Sequence, residues 1–172
     1  YPGIIEIDNS LYANPARKGC MLNRETFGIL AALEVDIDFN VNILTGSNGE
    51  MMGGLGGGPD VAAGAQISIV VLPIVRGRIP SVVKKVFTCC TPGDTVAVVI
   101  TEAGIALNPN HKNYQELKED LEKTSLKLVT IEELRQTAEG LTGTPKPIEC
   151  TDKITCIVEY RDGTVLDVIR EI

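Results

Sequence analysis

The run Ile67-Ser68-Ile69-Val70-Val71-Leu72-Pro73-Ile74-Val75, which ends at Arg76, constrains the fold more than any other stretch. It is about half the length of roughly 18 apolar residues that would suggest a membrane span. Branched aliphatic residues follow one another without polar alternation, as they do in strands buried on both faces of a parallel sheet. A buried strand is therefore expected over residues 67–72, and a second continuous apolar strand over 96–101. Helical patterns follow. Residues 113–123 read as a polar helix, and Thr130 with Glu133 forms a capping box opening a helix over 131–140, with Gly140 near its end. Continuous apolar strands alternating with helices define an α/β class. The 172 residues fit one domain and suffice to bury a core.

The remaining elements follow from local chemistry. Residues 4–7 read as a short strand and 14–19 as a loop. Residues 24–34 carry Phe27, Leu30, Ala31 and Glu34 at helical spacing, which predicts an amphipathic helix. A strand is expected over 41–45, then a turn at Gly46-Ser47-Asn48-Gly49, where Asn-Gly favours positive φ. Thr91-Pro92-Gly93-Asp94 is turn chemistry, and 142–147 is a Pro/Gly linker. The tail predicts a hairpin, 154–160 and 164–169 around Arg161-Asp162-Gly163.

A net charge of −7 argues against nucleic acid and anionic membrane surfaces as partners, since both favour basic patches. Five cysteines without a CxxC pair, and one histidine, give a zinc site little support. Reduced thiols in a cytoplasmic protein are expected. The chain opens on Tyr1 rather than methionine, without a basic segment leading into an apolar one, and is expected to be part of a longer protein.

Five of the 17 glycines fall within Gly53-Gly54-Leu55-Gly56-Gly57-Gly58, ahead of Pro59-Asp60 and a short helix over 60–65. Two readings stand open. One is a tight turn that lets two backbones pack closely. The other is a loop presenting several N–H groups to an anion, a carbonyl or a thioester oxygen. The pattern matches neither the P-loop nor the dinucleotide fingerprint in its required context. Arg76 and Arg78 follow a buried strand, where α/β sheets gather ligands, and could grip a carboxylate or phosphate. Alternatively they form structural ion pairs. Glu34, Asp36 and Asp38 alternate like a metal or acid/base cluster but are read as solvated charges at a helix-to-strand junction. His111 is read as a surface histidine, and Glu50 as a solvated loop residue rather than a nucleophile.

Several segments resemble one family. They are Leu33-Glu34-Val35-Asp36, Phe39-Asn40-Val41-Asn42, Thr45-Gly46-Ser47-Asn48-Gly49, Gly56-Gly57, and the run from Pro73 through Pro80. Thr91-Pro92-Gly93, Thr101, Gly104-Ile105-Ala106, Asn108-Pro109 and Tyr160-Arg161-Asp162-Gly163 continue the series in order. Together they resemble the citrate lyase α chain, the citrate CoA-transferase of ATP-independent bacterial citrate lyase. The resemblance runs from about Ile4 to the C-terminus and corresponds to the last third of that chain.

The resemblance implies a NagB/RpiA/CoA-transferase-type fold, an open sheet with flanking helices and a C-terminal hairpin. Residues 1–172 would be the C-terminal portion of the second of two such domains, with the active site between the two halves. It implies exchange of acetyl for citryl on an acyl carrier protein thioester, through a mixed acetic–citric anhydride. Implied partners are the carrier protein (γ chain), the β chain that cleaves citryl thioester, and the upstream part of the α chain. No cofactor would be bound tightly, since the CoA-like group rides on the carrier. Relatives that use an active-site glutamate carry it in an upstream segment, and Glu50 does not match that motif. Many family members have histidine after Gly-Gly, where this chain has Gly58-Pro59. The expected thioester and substrate contacts are Gly54, Gly56, Gly57, Asp60, Arg76 and Arg78, with the Gly56, Gly57 and Gly58 amides as oxyanion donors and no metal. The alternatives are another CoA-transferase acting on free acyl-CoA, and a non-catalytic assembly module. This piece alone is expected to be inactive.

Overall fold

The computed structural model describes every residue except Tyr1, Pro15, Glu25, Thr26 and Ser47, and leaves out the side chains of Asn9 and Ser10. Its elements begin with a single turn α1 (Asn9–Tyr12), a 3-10 turn (Met21–Arg24), and strands β1 (Phe27–Ala31), β2 (Glu34–Asp36) and β3 (Val41–Asn42). Helix α2 (Gly58–Gly64) precedes β4 (Ile67–Val71), β5 (Val75–Arg76), β6 (Ile79–Pro80) and β7 (Val82–Val83). Then come β8 (Val98–Thr101), β9 (Gly104–Leu107), α3 (Tyr114–Leu121), β10 (Leu128–Val129), α4 (Ile131–Thr142), β11 (Ile154–Glu159) and β12 (Val165–Arg170).

The main sheet has the order β1-β4-β8-β9-β10. β4 lies parallel to both β1 and β8, as its unbroken apolar run predicts. β9 returns antiparallel to β8, and β10 joins β9 in parallel. A smaller sheet, β3-β2-β7, packs nearby through a core of Val35, Val41, Val70, Leu72, Ile74, Val82, Val99 and Leu134. Helix α4 closes this core with Leu134 and Ala138 and carries the predicted capping box at Thr130 and Glu133. It runs through Gly140 to Gly143, whose φ of 83° ends it, so the glycine stop sits three residues beyond the predicted one.

The alternation of strands and helices and the tail hairpin hold. Several sequence expectations do not. Residues 27–31 form β1 rather than a helix, and β2 starts at Glu34. Their apolar spacing fits both periods. Five parallel pairings to β4 decide for the strand, and Gly28 admits helix α2, since a Cβ there would meet Val61 Cγ1 at 2.7 Å. Residues 4–7 form no strand, and Ile4 and Ile5 are exposed. The strand expected over 41–45 shortens to Val41–Asn42, with Thr45 held in an isolated bridge to Met51. Glu25 and Thr26 of the predicted helix, Pro15 of the loop and Ser47 of the turn lie outside the described residues.

Two of the three alternating acids, Glu34 and Asp36, are buried and structural, which corrects their reading as solvated charge, while Asp38 is exposed as expected. Glu34 accepts from Asn42 Nδ2 at 3.0 Å across the β2–β3 pair. Asp36 is 1 % exposed and accepts from the amides of Asp38, Asn40 and Val86 and from the Asn40 side chain. Burial pushes its carboxyl above the usual range while those donors hold it back. The turn that Asp36 ties places Phe39 at φ 65° and presses against Gly93, where an added Cβ would lie 1.9 Å from the Asp38 carbonyl oxygen. The Thr91-Pro92-Gly93 motif is thus a glycine-dependent close approach. His111 is also buried, 8 % exposed, with Nδ1 accepting from the Asn113 amide. Burial lowers its pKa below 6.5, so it is a satisfied interior imidazole rather than a surface one. Glu50 is exposed, as predicted.

Candidate active site

The glycine loop connects the Thr45–Met51 bridge to α2. Gly56 takes φ +59°, open only to residues without a Cβ penalty, and Gly57 caps α2 with no side-chain hydrogen bond. A Cβ added at Gly53, Gly54 or Gly56 would meet nothing within 4 Å. Gly28, Gly49, Gly93 and Gly104 admit close neighbours, whereas Gly53, Gly54 and Gly56 border open space. Of the two readings of the glycine run, the geometry favours the presenting loop over the close-packed turn.

The hairpin β11–β12 folds back against this loop. Val158 and Ile169 are buried with Leu44 and Cys90, and Leu55 of the loop packs on the same cluster. Asp167 accepts from the Cys89 amide at 2.7 Å. The hairpin turn, closed by Tyr160 and Thr164 with Gly163 at φ +87°, lands beside α2. There Arg161 donates to Asp60 at 2.7 Å, with side chains 18 % and 16 % exposed. The guanidinium also lies over the Tyr160 ring, 4.0 Å from its centroid. Leu55, Gly56, Pro59, Asp60, Glu159, Tyr160 and Arg161 line a cleft of about 280 Å³. Burial raises the Tyr160 phenol pKa, so the group stays a hydrogen-bond donor at neutral pH.

The cleft gathers Gly56 and Asp60 from the predicted set, with Gly57 and Gly58 adjacent in the chain. Arg76 and Arg78 do not line it. They flank Gly77 (φ +60°) in the β5–β6 hairpin, where Arg76 is half-buried and Arg78 exposed. Arg76 Nε is buried without a hydrogen-bond partner, and no ion pair to either arginine occurs among the described residues. The structural ion pair considered for them therefore does not form there. The cation beside the glycine loop is instead Arg161, together with Glu159 and Tyr160, which sequence reasoning placed only in a hairpin. The charged turn Tyr160-Arg161-Asp162-Gly163 was the available signal.

The cysteines offer no nucleophile near the loop. All five are free, and burial with the Asp167 carboxylate pushes the Cys89 thiol up to about 12. No group of three or more metal-ligating side chains occurs among the described residues, and none of their helices is long and apolar enough to cross a membrane.

The family model for "Citrate lyase, alpha subunit (CitF)" matches residues 1–172. The chain belongs to the citrate lyase α subunit family. The citrate lyase alpha chain of Klebsiella pneumoniae is 52 % identical over 171 residues, covering 99 % of this chain and 33 % of that one. That of Escherichia coli K12 is 47 % identical over the same shares. A Streptococcus mutans protein described as the α subunit of citrate lyase, solved in complex with citrate, superposes with a TM-score of 0.92 at 47 % identity. The match covers 98 % of this chain and 32 % of that one. This citrate lyase α sequence thus spans about a third of the length of its relatives. The shares give the size of the matching piece and not its position in those relatives.

Proposed function

We propose that this chain contributes the thioester-binding wall of a citrate CoA-transferase site, exchanging acetyl for citryl on an acyl carrier protein. The observation that carries the reading is the open glycine loop beside the Tyr160–Arg161 cleft in a chain of this family. A citrate carboxylate attacks the acetyl thioester carbonyl, forming a mixed acetic–citric anhydride and releasing the carrier thiolate. The thiolate then attacks the citryl carbonyl of the anhydride and releases acetate. Both steps build negative charge on a carbonyl oxygen. Amides of Gly56, Gly57 and Gly58 are the donors that would stabilise it, because preorganised N–H groups need no reorganisation as charge develops. Gly54 leaves room for the pantetheine-like arm, and Asp60 holds Arg161 at the cleft wall. The carrier brings the CoA-like group, and a β chain would cleave the citryl thioester. The cytoplasm is the expected compartment.

The test is Gly57→Val in the family-length chain. Gly57 has φ −93°, which any residue adopts, so the change adds bulk without left-handed strain. Transferase turnover should fall by roughly 2.7–4 kcal/mol in barrier, the cost of losing one oxyanion donor. A folded Gly57→Val enzyme with normal turnover overturns the assignment.

A further inference from the structure

The main sheet has one covered face, and its other face is open at the β1 edge, while Val98 of β8 on that side is buried. Gly28, Leu30, Ser68 and Val70 point to the side packed by α2 and the core, where Ser68 and Val70 are fully buried. Their chain neighbours form the other face in register: Phe27 with Ile67, Ile29 with Ile69, and Ala31 with Val71. On that face Phe27 is 59 %, Ile29 72 % and Val71 43 % exposed, and Ile67 and Ile69 are half-buried. No charged side chain interrupts these six positions. β1 is also the edge strand, with β4 as its neighbour on one side only.

Such a face conflicts with the physics of parallel sheets. Parallel strands are joined by crossovers whose helices lie on the sheet faces, so both faces are normally covered. In this chain the β1–β4 crossover supplies α2, which lies on the Gly28 side. The β4–β8 crossover contains only the short strands β5, β6 and β7 and a 3-10 turn, Gly93–Thr95, and supplies no helix. An apolar edge strand left bare is a template for aggregation. Meanwhile the chain accounts for 32–34 % of the length of its family relatives.

We infer that the face formed by Phe27, Ile29, Ala31, Ile67, Ile69 and Val71 is the docking surface for a helix from the remaining two thirds of the family-length chain. The inference rests on family membership and not on the proposed chemistry, so the two fail separately. The occupant is a helix with an apolar stripe, because six apolar side chains without a charge select an amphipathic partner and offer nothing to a charged one. A helix is favoured over a docked strand because the larger exposed area is the face, not the edge.

The experiment places p-benzoylphenylalanine at position 27 (Phe27→p-benzoylphenylalanine) in the family-length chain. Irradiation uses a mixture of isotopically heavy and light copies, with and without the other subunits. A cross-link from position 27 to a helical peptide of the same copy, outside these 172 residues, is the expected result. Cross-links between heavy and light copies, to another subunit, or to solvent only, overturn the inference. Hydroxyl-radical footprinting of the unsubstituted family-length chain guards against a misfolded variant. Normalised to the denatured chain, Phe27 should be oxidised as slowly as buried Phe39. Oxidation of Phe27 at the denatured rate means an uncovered face and overturns it too.

Discussion

Arg76 carries a guanidinium whose buried Nε has no acceptor, in a chain with 23 acidic residues to choose from. Leaving a buried donor unpaired costs about 1–3 kcal/mol, so such a group is poised for an acceptor from outside. A carboxylate of citrate or of the rest of the family-length chain fits the planar fork. Arg78 is exposed one turn residue away and has no such debt of pairing. The structure thus separates two arginines that the sequence left equivalent. In the family-length chain, Arg76→Lys should weaken citrate binding by roughly 1.5–3 kcal/mol, the range for a hydrogen bond to a charged group. Arg78→Lys should leave binding unchanged. Calorimetric titration with citrate checks both, and normal binding by folded Arg76→Lys makes Arg76 structural. Residue roles were the least legible part of the sequence. Asp36 and His111 look exposed in a polar neighbourhood and are buried, because their partners are local amides that spacing does not reveal. Arg161 was missed because Asp60 lies 101 residues away in the chain.

At the scale of elements, chemistry confined to a few residues was readable and chemistry set by distant pairing was not. The Thr130–Glu133 capping box, the Asn48-Gly49 turn and the tail hairpin each draw their signal from adjacent residues, and each stands where it was expected. Residues 27–31 became a strand because β4, 40 residues on, pairs with them. The hairpin β11–β12 shows how a readable element reaches an unreadable place. Its apolar residues Val158 and Ile169 seat it on Leu44 and Cys90, and Arg161 ties its turn to Asp60 at the mouth of the glycine loop. Arg161→Ala should therefore loosen the turn and the loop together. Hydrogen exchange is expected to accelerate in residues 53–60 and 159–164, while the strand amides of β11 and β12 keep their protection. The stability loss should be about 1.5–3 kcal/mol, given the partial burial of the pair. Unchanged exchange in 53–60 would mean that the apolar seat alone positions the loop.

The molecule as a whole combines a well-formed interior with surfaces that ask for more chain. Its core runs from Val35 through Leu134 and closes two sheets and a helix, so 172 residues are enough to fold. Its α/β class was legible because parallel strands advertise themselves by unbroken apolar runs. The open face of β1 and β4 was not, since those same runs read as buried on both sides. The proposed site has the same one-sidedness. Its wall consists of the glycine loop and the hairpin turn, while Arg76 stands outside the cleft. Catalysis depends on groups held within reach of the reacting atoms, and a misplacement of about 1 Å can cost on the order of 10²-fold. On the proposed reading, a chain spanning a third of its relatives' length supplies one wall of such a site. The purified 172-residue chain, given acetylated carrier protein and citrate, should therefore release acetate at a rate indistinguishable from the uncatalysed exchange. Adding the remaining two thirds as a separate polypeptide should restore turnover if the two associate through the apolar sheet face. Turnover by the 172 residues alone, equal to that of the family-length chain, would mean that every essential group lies within them and that the site is closed by this chain's own residues.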